Sequence, residues 1–149
     1  MTNLGLNYKI GSASEDEIKS HLLKCSAYFY PPLHEKIDIQ AYSKKINRHS
    51  VTFEAWDGND LVGLVAAYLN DLESRSGFIT NVSVVASYMG RGIASELLDI
   101  CVQYSKEKGF NEIKLEVQER NTPAIFLYTK KNFIEVKNEA GTILMINKA

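Results

Sequence analysis

Apolar residues recur along this chain at two different spacings, and the alternation between them outlines a fold. Across residues 92–108, Ile93, Ala94, Leu97, Leu98, Cys101 and Tyr104 share one helical face, opposite Glu96, Asp99, Gln103, Lys106 and Glu107. That pattern predicts the clearest helix of the chain, and Gly109 stands where a helix stops. Immediately afterwards Ile113, Leu115 and Val117 alternate with Glu112, Lys114, Glu116 and Gln118, the period-two signature of a strand. Residues 51–56 and 61–69 read as strands joined by the turn Asp57-Gly58-Asn59-Asp60. A polar loop at 71–76 leads to another β-rich run at 78–85, and strands at 133–136 and 142–146 close the chain. Residues 8–10 offer a short first strand.

Two helices are predicted between the first strand and the hairpin. Ser14 and Glu17 have capping-box spacing, acids at 15–17 suit a helix start, and Ile18, Leu22, Cys25 and Phe29 follow at helical intervals. Pro31-Pro32 ends that helix, because neither proline supplies a ladder donor. The second helix begins near Asp38, with Ile39, Tyr42 and Ile46 on one side, and a short helix after 121 has Pro123 in its first turn. The order β-α-α-β-β-β-α-β-α-β-β implies an α/β fold of the mixed α+β kind, with a hairpin-rich first half followed by a βαβ crossover. A single domain over 1–149 is expected.

Composition narrows the function classes. Apolar residues make up 45% and charged residues 23%, so a core of ordinary size can form. Seventeen basic against eighteen acidic side chains leave a net charge of −1, far from the basic footprint of a nucleic-acid binder. The start of the chain lacks a basic segment followed by an apolar run, and the longest apolar stretch, 61–69, falls well short of the ~20 residues that cross a bilayer. Cys25 and Cys101 lie inside apolar helical patterns and read as buried free thiols. A soluble cytoplasmic protein with no nucleic-acid or membrane partner is the expectation.

Two segments carry candidate chemistry. The first, from Val82 through Ser83 and Val84 to Gly90, Arg91, Gly92, Ile93, Ala94 and Ser95, runs from a strand through a glycine-bearing turn into the strongest helix. A helix N-terminus presents unpaired N–H groups and partial positive charge, so these amides can cradle a pyrophosphate. Two glycines also serve a plain tight turn, and the segment alone leaves both readings open. It is neither a dinucleotide fingerprint nor a P-loop. In the second segment Tyr128 lies two helical turns beyond Asn121. A phenol there can protonate a leaving thiolate while Asn121 bonds an amide-rich ligand, although a half-buried packing tyrosine would look the same.

Taken together, Met89-Gly90-Arg91-Gly92-Ile93-Ala94 and Asn121-Thr122-Pro123-Ala124 through Leu127-Tyr128 to Phe133 resemble the two signature regions of the GNAT family of N-acetyltransferases. The resemblance covers residues 51–147 well and the first two helices more loosely. It implies a mixed, mostly antiparallel sheet of six to seven strands with about four helices, and a splayed strand pair that admits acyl-CoA. Acetyl-CoA is then the co-substrate, with no metal. Val82, Ser83 and Val84 would line the pantetheine arm, Gly90 to Ser95 the pyrophosphate, and Asn121 the pantetheine or its neighbouring backbone. Tyr128 would act as general acid, and Glu116 matches a base position proposed in ribosomal-protein N-terminal acetyltransferases; a solvated glutamate or a water relay are the alternatives. Met89 departs from the usual Gln or Arg, and Asn132 replaces the usual glycine.

On the substrate side the resemblance points to the first two helices and their loop, where Tyr28, Phe29 and Tyr30 form an aromatic, proline-stiffened stretch. His34 and His49 read as surface histidines. The expected acceptor is a primary amine on a small molecule, an amino sugar or an amino acid derivative. The alternatives are a protein N-terminus or lysine, a longer acyl donor, and a CoA-sensing module without turnover. A homodimer is possible.

Overall fold

The computed structural model describes residues 5–29 and 32–148, so Tyr30 and Pro31 lie outside the described residues. Seven strands form one sheet in the order β1-β2-β3-β4-β5-β7-β6. β1 (Leu6–Ile10), β2 (Val51–Asp57), β3 (Asp60–Tyr68) and β4 (Ser76–Val84) run antiparallel in sequence order. β5 (Glu112–Gln118) joins β4 in parallel, and β7 (Thr142–Lys148) and β6 (Ile134–Glu139) complete the sheet antiparallel. Every residue from Thr52 to Trp56 and from Leu61 to Ala67 is buried, because both faces of these central strands are covered.

Five helices supply the cover. α1 (Glu15–Cys25) and α3 (Ile39–His49) pack one face, building a core of Ile18, Leu22, Ile39 and Ile46 against Trp56, Leu61, Leu64 and Ala66. α4 (Ile93–Glu107) and α5 (Thr122–Lys130) cover the other, where Leu97, Leu98, Cys101, Tyr128 and Phe133 meet Phe53, Val65 and Ile79. The predicted capping box forms: Ser14 Oγ accepts from Glu17 N at 3.1 Å, and the Glu17 carboxylate accepts from Ser14 N at 2.9 Å. Asn132 takes φ 72°, so asparagine fills the left-handed stop usually given to glycine.

Local corrections have local causes. The segment after Pro32 is not a plain loop but holds a short helix, α2 (Leu33–Lys36), which brings the helix count among the described residues to five. β4 ends at Val84, and a 3-10 turn over Ala86–Tyr88 precedes the glycines. β6 is exposed along its whole length; the buried aromatic at that end is Phe133, just before the strand.

A fully buried Glu54 on β2 ties the β1–α1 connection to the sheet. Its carboxylate accepts from Ser12 N, Ala13 N and Trp56 Nε1, each at 3.0 Å, and from the hydroxyls of Ser12 and Thr52. Several donors on one buried acceptor compensate its lost hydration, whereas removing it orphans them all. Glu54→Ala should therefore lower the unfolding free energy by about 3 kcal/mol or more in urea titrations; a loss below ~1 kcal/mol would show that these donors find water instead.

Candidate functional site

β4 and β5 pair only through Ser76↔Glu112, Gly77↔Ile113 and Phe78↔Lys114. Beyond that point β4 continues along β3 to Val84 and β5 continues along β7 to Gln118, but the two part from each other. The register between β3 and β4 shifts at the same place: Ala66 faces Asn81 while Ala67 faces Ile79, so Thr80 is an extra residue in β4. A bulge bends its strand and shifts its side-chain alternation by one. Ile79 accordingly faces the α4 core, whereas Asn81 and Ser83 face α1 and α3.

The gap holds a cavity of about 550 Å³. Ile79 to Val84 line one wall and Leu115 to Gln118 the other, with Asn121 and Tyr128 from the α5 side and Cys25, Tyr28, Phe29, Leu33, Ile37 and Tyr42 from the α1–α3 side. The mutually facing main-chain edges of β4 and β5 have no strand partner here, so their N–H and C=O groups are open to an extended ligand.

Met89, at one end of the cavity, leads into the glycine turn. Gly90 and Gly92 take φ 80° and 79°, a region that costs other residues ~1–2 kcal/mol, and nothing lies within 4 Å of where their Cβ atoms would be. Ser14, Asp38 and Asn121 cap their helices with side chains, but Gly92 gives α4 no side-chain cap. The first intrahelical bond is Glu96 N to the Gly92 carbonyl at 3.0 Å, so the N–H groups of Ile93, Ala94 and Ser95 precede the ladder. Arg91 lays its guanidinium 4.9 Å over the Tyr88 ring. An anion thus meets exposed main chain, the positive end of a fifteen-residue helix and a nearby cation. The side chain of Ile93 belongs to the core, leaving only its N–H for a ligand.

Tyr128 is 8% exposed and lines the cavity. Burial pushes its hydroxyl pKa up to about 12, so it keeps its proton at neutral pH. Asn121 uses Oδ1 to cap α5, accepting from Ala124 N at 3.3 Å. Glu116 is exposed at the opposite wall; among the described residues lining the cavity it is the one carboxylate, and no lysine or arginine accompanies it. Tyr28 and Phe29 line the α1 side as expected, whereas the position of Tyr30 falls outside the described residues. His34 and His49 are exposed.

Comparison with known proteins agrees with this geometry. The sequence pattern of the family described as "Acetyltransferase (GNAT) family" matches residues 16–133. N-alpha-acetyltransferase MAK3 of Arabidopsis thaliana is 34% identical over 86 residues, covering 57% of this chain and 45% of that protein, so the chain spans less than half the length of that relative. The ribosomal-protein-S18-alanine N-acetyltransferase of Escherichia coli superposes with a TM-score of 0.76 at 16% identity, over 95% of this chain and 94% of its own. PaiA N-acetyltransferase of Thermoplasma acidophilum, solved in complex with coenzyme A, superposes with a TM-score of 0.73 at 15% identity, over 96% and 99%. These two structures share the fold.

One buried polar residue behind the cavity wall escapes the sequence reading. His21 is 1% exposed, with Nδ1 2.9 Å from the Leu61 carbonyl oxygen and Nε2 2.9 Å from Ser83 Oγ and 3.7 Å from Cys25 Sγ. Its signal was the stripe Ile18, His21, Leu22, Cys25, in which a histidine occupies an apolar helical face. Burial pulls its pKa from 6.5 down to about 4. The unfolded chain therefore takes up a proton first: the stabilisation is present above pH 6.5 and is lost as pH falls towards 4, roughly 3 kcal/mol across the window. Urea unfolding at about pH 7.5 and about pH 4.5 should show a clearly smaller acid loss for His21→Gln than for the wild type; equal losses would mean the folded protein accepts the proton freely.

Proposed function

Because the chain belongs to the acetyltransferase (GNAT) family, we propose that it moves an acetyl group from acetyl-CoA to the primary α-amine of an amino acid derivative or a peptide N-terminus. The observation that carries this reading is the gap between β4 and β5, which brings open main-chain edges and a protonated tyrosine to one cavity, with Met89 leading from it to an uncapped helix start.

The residues present fit the co-substrate. The main-chain edge at Val82 and Val84 suits the amides of a pantetheine arm, with Ser83 contributing backbone only because its hydroxyl is turned to His21. Gly90 to Ser95 offer N–H groups to the pyrophosphate, with Arg91 beside them. Bound acetyl-CoA supplies an acyl thioester, a donor that needs no metal and no covalent enzyme intermediate. Tyr128 holds its proton well above neutral pH and can deliver it to a departing thiolate. Glu116 sits across the cavity, open to solvent, where a carboxylate can take the proton an ammonium must shed before it attacks.

The acceptor side is apolar and uncharged, built from Tyr28, Phe29, Leu33, Ile37 and Tyr42. Such a wall suits an α-amine beside an apolar side chain and offers little to the hydroxyls of an amino sugar or the charges of a polyamine. The naming of an Arabidopsis relative as an N-alpha-acetyltransferase supports the same choice.

A thiol-release assay with acetyl-CoA and leucinamide, a peptide starting with methionine, glucosamine or spermidine should favour the first two in kcat/KM by about tenfold or more, worth ~1.4 kcal/mol. Equal use of glucosamine would refute the α-amine choice. Tyr128→Phe should cut kcat by about 10²-fold while calorimetry finds CoA affinity within about twofold; undiminished turnover would remove Tyr128 from the acid role. Gly92→Val forces a β-branched residue into φ 79° and should weaken CoA binding about tenfold or more, and unchanged affinity would reject the main-chain cradle.

A further inference from the structure

Thr80 is the residue of β4 that the ladder leaves out. On one side β3 pairs Ala66 with Asn81 and Ala67 with Ile79 and skips it; on the other, β5 has already parted at Phe78 and Lys114. A main-chain carbonyl in such a place needs a donor from outside the sheet. Tyr42 supplies one: its hydroxyl lies 2.7 Å from the Thr80 carbonyl oxygen, across thirty-eight positions of sequence.

The bonds around that phenol close as a set. A carbonyl can only accept, so the single Tyr42 proton goes to the Thr80 carbonyl. Thr80 Oγ1, also 2.7 Å away, is then the donor in its own contact, and the Asn81 side chain bonds the same phenol oxygen. Burial pushes the hydroxyl pKa up to about 12, so this donor keeps its proton at neutral pH. One oxygen thus gathers the main chain and side chain of the bulged residue and the side chain of the next.

Tyr42 reaches the bulge from a firm support. Its helix, α3, is capped by Asp38, which accepts from Ala41 N at 3.2 Å, and is packed through Ile39 and Ile46 against Trp56, Leu61 and Leu64. β4 has less to hold it. Past Phe78 it has a strand partner on one side only, so the ladder by itself does not fix which way the extra residue turns. Flattening the bulge would send Asn81 and Ser83 to the other face and shift the N–H and C=O groups of Val82 and Val84.

We infer that Tyr42 is a positioning residue: its hydroxyl pins the Thr80 bulge and so fixes the β4 main-chain edge at Val82 and Val84 where the pantetheine arm lies. This rests on the acetyl-CoA reading above, and it ties the helix that walls the acceptor side to the strand that holds the donor.

The test compares CoA with ADP, which carries a diphosphate but no pantetheine arm, and reads dissociation constants by NMR titration without turnover. Tyr42→Phe should weaken CoA about fivefold or more while ADP stays within about twofold. Amide shifts of residues 79–84 should move in the ligand-free variant. In the wild type the Tyr42 hydroxyl proton should be protected from exchange and close to residue 80, a readout that stands even if Tyr42→Phe fails to fold. Unchanged CoA affinity, equal weakening of CoA and ADP, or a freely exchanging hydroxyl would each overturn the assignment. Unmoved amides beside weaker CoA would mean that the phenol touches the ligand itself, and would overturn it too. Wild-type protein that binds neither CoA nor ADP would sink this inference together with the cofactor reading. Absence of thiol release with intact CoA binding would sink the acetyl-transfer reading alone.

Discussion

The extra residue in β4 at Thr80 does two things to the sheet at once. It bends the strand away from β5 just past the last shared pair, Phe78 and Lys114, and it shifts the side-chain alternation so that Asn81 and Ser83 exchange faces with the pattern set by Ile79. A regular ladder would have closed the gap and sent a polar amide into the α4 core. The cavity, its open main-chain edges and the turn of Asn81 and Ser83 towards α1 and α3 all follow from that local irregularity.

Opening a sheet is tolerable only if both halves are braced. On one face α4 and α5 fill the α4 core around Leu97, Leu98 and Phe133; on the other α1 and α3 rest on Trp56, Leu61 and Leu64. Polar pins join the layers where apolar packing alone gives no direction: Glu54 gathers the β1–α1 connection, and His21 links α1 to β3 and β4. Such bonds add little net stability when made, but they specify one arrangement because the unpaired alternatives are expensive.

The charge distribution divides the work along the cavity. One end offers main-chain N–H groups at a helix start, suited to phosphate oxygens. The middle is buried, which keeps Tyr128 protonated, and the acceptor wall is apolar with a single carboxylate opposite.

Much of this was legible in the linear pattern. The period of 3.6 over α4, the period of two over β5, the capping box at Ser14 and the glycine turn are local signals, and local backbone preference enforces them wherever they occur. Asn121 and Tyr128 could be placed together because one short helix carries both. No residue type marks the bulge at Thr80, since neither glycine nor proline is there; it arises from how β4 must fit both β3 and the helices above it. The short helix at Leu33–Lys36 escaped for a similar reason, its four residues being too few to show a period. His21 found its partner Ser83 sixty-two positions away, and Glu54 drew donors from Ser12, forty-two positions earlier in the chain. The sequence alone determined most of the helices and strands and marked two regions as candidates for chemistry, because those properties depend on neighbours within a few residues. Only the tertiary structure decided where the sheet opens and which polar atoms face the opening, because those depend on contacts that exist only after distant segments have packed.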